Sequence, residues 1–286
     1  MTKMDALKVW TALLSAVAVA TVTVLAALGT APAASAVTTD DSADHGASFA
    51  VRCDFSHRAP DDPIAHFGHK GAAHSHDFFG NRSTNAHSGY KSLLAAGTTC
   101  TRVADKAAYW MPTLKWNGET IDSDRAVFYY RAGGKDHKKV KPFPAALKVV
   151  TPYGKKVSWR CGRRGEANRP PSRCPSRTLG VRFIFPDCSN GKLDSSNHRA
   201  HMAYSRQIDG EERCPRSHPT SVPVLTMNVR FPLPTSRGPA RLSSGKPSTA
   251  HADFFNTWRQ KTLGHLVWRC INNVAPSQPR PAECRA

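Results

Sequence analysis

Three short segments hold most of the side chains that could do chemistry. AHSHDFFGNRSTNAHSGY, from Ala73 to Tyr90, supplies His74, His76 and Asp77. FPDCSNGKLDSSNHRAHMAY, from Phe185 to Tyr204, supplies Asp194, His198, His201 and Tyr204. TAHADFFNTW, from Thr249 to Trp258, repeats the His, Asp and paired Phe of the first segment around His251 and Asp253. On an extended chain, side chains two apart share a face. His74 and His76 then point one way and Asp77 the other, while His251 and Asp253 share a face. On a helical turn, Asp194, His198 and His201 would form one stripe.

If the fold joins these faces, the result is a cleft lined with imidazoles. Neutral imidazole nitrogen is a good ligand for Zn²⁺ or Cu²⁺, and a carboxylate can complete the shell or orient a histidine. The ligand set expected on that basis is His74, His76, His198, His201, His251 and Asp253. The other chemistry is proton transfer, since imidazole titrates near neutral pH. His74, His76, His198, His201 and Tyr204 would then be catalytic, with Asn81 and Arg82 holding substrate. Holding long loops together by hydrogen bonds is the competing use of the same side chains. The Phe78-Phe79 and Phe254-Phe255 pairs suit anchoring, one ring of each in the core. Gly80-Asn81 suits a turn that needs a positive φ.

The elements that must position these residues read as strands. FAVRCDF, AAYWMPTLKW, AVFYYRA, ALKVVT, KVSWRC, LGVRFIFP, VPVLTMNVRFP and HLVWRCI are short and rich in aromatic and β-branched residues. Gly, Pro, Asn and Asp clusters separate them. Helical periods are few: one over Phe254–Val267, with Thr257, Arg259 and Lys261 outward, and a short one within His87–Gly97. The expected fold is all-β, a sandwich or jelly roll with long loops.

The first residues have a different character. Lys3 and Lys8 precede an apolar run that ends in APAASA, the form of a secretory leader cleaved after Ala36. Residues 37–48 are a polar lead-in, and 49–286 are expected to form one domain. Cleavage would leave no membrane segment, and the protein is expected to be secreted and extracellular. All eight cysteines follow the leader. An even count in an exported chain reads as four disulfides. Of the 105 possible pairings, pairing between sequence neighbours is expected, because Cys161–Cys174 and Cys270–Cys284 can close locally. The absence of a C-x-x-C pair argues against a zinc ribbon or thioredoxin-like site.

A net charge of +19 favours anionic partners, such as an acidic polysaccharide or a cell-envelope polymer. No arginine-rich arm, RNP-like strand or finger spacing is present, so there is no dedicated nucleic-acid module. Neither H-E-x-x-H nor a G-x-S-x-G elbow occurs, and acidic residues are too scarce to pick out a glycosidase pair.

Taken in order, DDPIAHFGHKGAAHSHDFFGNRSTNAHS, the middle segment and RLSSGKPSTAHADFFNTW resemble the DUF1996 family of secreted bacterial and fungal domains. The likeness runs from about Phe49 to Cys270. One departure is Ser189-Asn190, where the family's middle motif often carries Trp-Asp after its cysteine. The resemblance implies a secreted, disulfide-bearing single domain and implies no activity. From the residues, two functions compete: a carbohydrate-active enzyme acting on an anionic polysaccharide, and a non-catalytic protein that binds metal or polyanion.

Overall fold

Alternating burial along the strands builds two antiparallel sheets that share one core. The computed structural model describes residues 47–274 and 281–285. The leader over 1–36 and nearly all of the lead-in lie outside the described residues. The first sheet has six strands, in the spatial order Ser48–Cys53, Arg125–Arg131, Val224–Pro232, Thr178–Ile184, Val157–Cys161 and Arg164–Ala167. Its inward rows follow the pleat. Phe49 pairs with Tyr130, which pairs with Leu225, and Val51 pairs with Phe128, which pairs with Met227. The second sheet has five strands, in the order Phe55–Ala59, His76–Gly80, Ala108–Pro112, Asp253–Phe255 and Lys148–Val150. Phe79, Tyr109, Met111, Val149 and Phe254 from this sheet join the same core. Tyr109 and Phe128 stack across the gap with centroids 3.7 Å apart. The fold is therefore mainly β, with two sheets packed face to face.

The five-stranded sheet is covered on its other face as well. Phe78, Ala108, Trp110, Val150 and Phe255 pack there against Ile64 and Leu93, from a loop and from the helix Tyr90–Ala95. Strands buried on both faces read as unbroken apolar runs, as AAYWMP does. The paired phenylalanines follow directly. Phe79 and Phe254 enter the sandwich core while Phe78 and Phe255 enter the second cluster. Both rings of each pair are anchors, where only one was expected to be. Gly80 sits at φ +77°, and a Cβ there would lie 2.5 Å from the Ala107 carbonyl oxygen, so only glycine ends this strand.

The C-terminal region departs from expectation. Phe254 and Phe255 are in a strand, Thr257 is buried, and the helix begins only at Gln260 and runs to Val267. HLVWRCI is helical, continuing as one π-type turn over Trp268–Asn272. The buried set Leu263, Leu266, Val267, Cys270 and Ile271 has helical spacing. Its density of apolar residues imitates a strand. No helix among the described residues is long and apolar enough to cross a membrane.

Four disulfides join sequence neighbours: Cys53–Cys100, Cys161–Cys174, Cys188–Cys214 and Cys270–Cys284. Each stabilises the fold by roughly 2–4 kcal/mol, mainly by restricting the unfolded chain. Cys161–Cys174 holds the Arg- and Pro-rich loop, part of which, Arg164–Ala167, becomes the edge strand of the larger sheet.

Candidate metal centre

Strand register brings the two outer motifs together. His76 pairs with Pro112. On the far side of that central strand, Asp253 pairs with Trp110. Two residues back in the same register, His251 also falls opposite Pro112. Strands two apart in a sheet are roughly 10 Å apart. The imidazoles of His76 and His251 lean over the short Pro112 ring to a centroid distance of 5.8 Å. His74, two residues before His76 and on the same face, closes the group at 4.2 Å from His76 and 5.1 Å from His251. One ring nitrogen from each of the three lies within 4.8 Å of the others.

Hydrogen bonding sets the tautomers. His76 Nδ1 lies 3.0 Å from the Asp61 carbonyl oxygen, and His251 Nδ1 lies 2.8 Å from that of Thr249. A carbonyl only accepts, so both protons are on Nδ1. Burial lowers both rings to about pKa 3, and the neighbouring histidines add to the effect. They are therefore neutral at ordinary pH, and each turns the lone pair of Nε2 inward. Burial lowers His74 too, against the charge of Asp62. The Nε2 atoms of His74 and His76 are buried and without a hydrogen-bond partner.

Asp253 sits beside these rings, in a row with Trp110 and Phe78 on the covered face. Its Oδ2 is 3.8 Å from His251 Nε2 and has no hydrogen-bond partner. Burial pushes this carboxyl well above the usual range; nearby Asp62 pushes the same way and Arg199 opposes. Asp62 is itself buried, with Oδ1 taking the backbone N–H groups of Ile64 and Ala65. Tyr153 lies at the exposed side, with its ring 4.7 Å from that of His251.

Each buried polar atom left unpaired costs about 1–3 kcal/mol. One divalent cation would satisfy the imidazole nitrogens together and balance Asp253. An imidazole held by a backbone carbonyl through its other nitrogen is the usual support for a metal-binding histidine. Three nitrogens and an available carboxylate suit Zn²⁺ or Cu²⁺. Cys53, Cys100 and Asp105 also lie close together, but those sulfurs are joined in a disulfide.

The middle motif contributes differently from expectation. No helix forms there, and His198 has φ +56°. Its Nδ1 bonds to Asp194 at 2.9 Å. His201 is fully buried, with Nδ1 at 3.0 Å from Ser195 Oγ and Nε2 at 2.6 Å from the Lys148 carbonyl oxygen. Both nitrogens are occupied, so His201 braces the loop and is no ligand. Tyr204 donates to the Ile184 carbonyl, and burial raises its pKa, which makes it a poor acid or base. Asn81 is fully buried; its amide donates to Leu93 and Lys106 carbonyls and accepts from Ser83. It holds the turn after Gly80 and cannot reach a substrate. Arg82 donates to the Thr98 carbonyl and covers Gly97. Asn81→Ala is therefore expected to lower stability by about 2 kcal/mol, leaving carbonyls unpaired, without changing metal affinity. Chemical denaturation and a zinc titration of the same variant check this.

A family profile described as "Domain of unknown function (DUF1996)" matches residues 62–258. The chain belongs to this family. No curated protein and no solved structure matches it. The matched DUF1996 span begins at Asp62 and ends at Trp258, so it encloses His74, His76, Tyr153, Arg199, His251 and Asp253. Asp62, Tyr153 and Arg199 were not legible as site residues. Asp62 lies in the DDPIAH stretch and Arg199 between His198 and His201, which are weak signals; Tyr153 has none.

Proposed function

We propose that this DUF1996 domain is an extracellular metalloprotein whose centre is formed by His74, His76 and His251. The buried, unpaired Nε2 atoms of His74 and His76 carry this reading. Asp253, beside His251, balances the charge of the centre from outside the three-histidine set. Three protein ligands leave a position for water or substrate, as in catalytic rather than structural zinc sites. His74 is only half-buried, which gives that position a route to solvent. A metal-bound water or a polarised substrate oxygen is the chemistry such a centre supplies. The charge of +19 directs it to an anionic polysaccharide or cell-envelope polymer. Export rests on the leader and the four disulfides.

A second reading, non-catalytic polyanion binding, is favoured by a groove of about 920 Å³ whose walls include Lys138, Lys141 and Arg216, with Glu211 and Glu212. One experiment treats both. Chelator-stripped protein is titrated with Zn²⁺, then incubated with acidic polysaccharides with and without chelator. Uptake of one equivalent and a rise in melting temperature are expected, because a ligand that binds only the folded state stabilises it. Metal-dependent new chain ends support the enzyme, and binding without products supports the second reading. Absence of zinc uptake overturns the metal centre.

A further inference from the structure

Arg199 holds an unusual position beside the histidines. Its guanidinium carbon lies 4.3 Å from the centre of the Tyr153 ring, and that ring packs edge-on against His251 at 4.7 Å. Its Nε is buried without a hydrogen-bond partner. Most other arginines near carboxylates are paired: Arg58 with Asp77, Arg182 with Glu166, Arg230 with Asp124. Asp253 feels the charge of Arg199, and also that of Asp62. Neither carboxylate reaches Arg199 as a salt bridge. An aromatic face holds a guanidinium in place while leaving its in-plane N–H donors free. Those donors form a planar fork that matches an oxyanion.

We propose that Arg199, laid on Tyr153 beside His251, binds the oxyanion of the ligand next to the metal position. This rests on the metal-centre reading and adds the ligand's chemistry: a carboxylate or a phosphate ester within one side chain's reach of the histidines. Tyr153 is 53 % exposed, so a polymer can approach from that side. The structure thereby gives the strongly basic chain a specific anion contact, apart from its diffuse charge.

Line broadening of inorganic phosphate (³¹P) and of ¹³C-acetate tests this, in zinc-loaded and in chelator-treated protein. Both wild-type forms are expected to broaden one of the two probes. Arg199→Gln should weaken that binding at least about 10-fold while the variant still takes up one equivalent of zinc. That loss corresponds to about 1.4 kcal/mol. Arg199→Lys keeps the charge without the fork and should recover only part of the binding. The preferred probe separates a carboxylate source from a phosphate source. Equal binding by wild type and Arg199→Gln, or no binding of either probe, overturns the proposal. A failure of the metal reading shows separately, as anion binding that is lost in Arg199→Gln with no zinc taken up by wild type.

Discussion

Replacing His251 with Ala is expected to weaken zinc binding at least about 100-fold, whereas replacing His201 with Ala should leave it unchanged. Changes to residues that merely orient metal ligands cost 10–100-fold. Losing one of three ligands costs more, because the remaining pair cannot close a tetrahedral shell. His251 is the least replaceable of the three. It alone comes from the far side of the central strand, and it joins the two outer motifs over Pro112. His201 is equally buried, but both of its nitrogens already bond to Ser195 and Lys148. His201→Ala should therefore cost stability and not affinity. The two variants, measured by competition with a chelating indicator and by thermal melting, separate ligation from bracing. Equal zinc affinities for His251→Ala and wild type would rule out the proposed ligand set.

Asp105→Asn is expected to remove most of the protein's loss of stability between about pH 4 and pH 8. Asp105 is fully buried, and burial raises its carboxyl to about pKa 8, although Tyr109, the Ala107 N–H and Arg102 pull the other way. It ends a buried chain in which the Trp258 indole donates to Tyr130, the two tyrosine hydroxyls meet at 2.5 Å, and Tyr109 lies 2.9 Å from Asp105 Oδ2. The folded pKa is raised above the unfolded value near 4. The folded state therefore holds the proton more tightly. The resulting stability is fully present below about pH 4 and is lost as pH rises through about 8. The slope is about 1.4 kcal/mol per pH unit in that window. Between pH 5 and pH 8 this amounts to about 4 kcal/mol. Asparagine keeps Oδ1 as the acceptor for the Ala107 N–H, and the Tyr109 hydroxyl, which donates to Asp105 Oδ2, turns to accept from Nδ2 instead. Denaturation at pH 5, 7 and 9 should give a steep fall for wild type and a shallower one for the variant. Parallel curves would show that Asp105 is not the group responsible.

The site was only half legible in the sequence, and the reason is geometric. Repetition of His, Asp and Phe-Phe marked His74, His76, His251 and Asp253, because the same local strand geometry is used twice. The i, i+4, i+7 spacing of Asp194, His198 and His201 misled, since spacing describes a helix only where the backbone is helical, and His198 sits at positive φ. Likewise Asn81 looked free because its polarity was visible while its four bonds, made to Leu93, Lys106 and Ser83, were not.

Composition and periodicity alone determined the mainly β fold, the even cysteine count, the basic charge and the identity of the donor groups. Each is local or additive along the chain. The tertiary structure decided which donors meet. His76 and His251 share a row only because two distant strands take the same register against Pro112, and a slip of one residue would turn either to the opposite face. It also decided that covering the outer face of that sheet would bury Asp253 beside Trp110. A carboxyl that would be solvated on a free strand is thereby held in apolar surroundings, next to imidazoles with inward lone pairs.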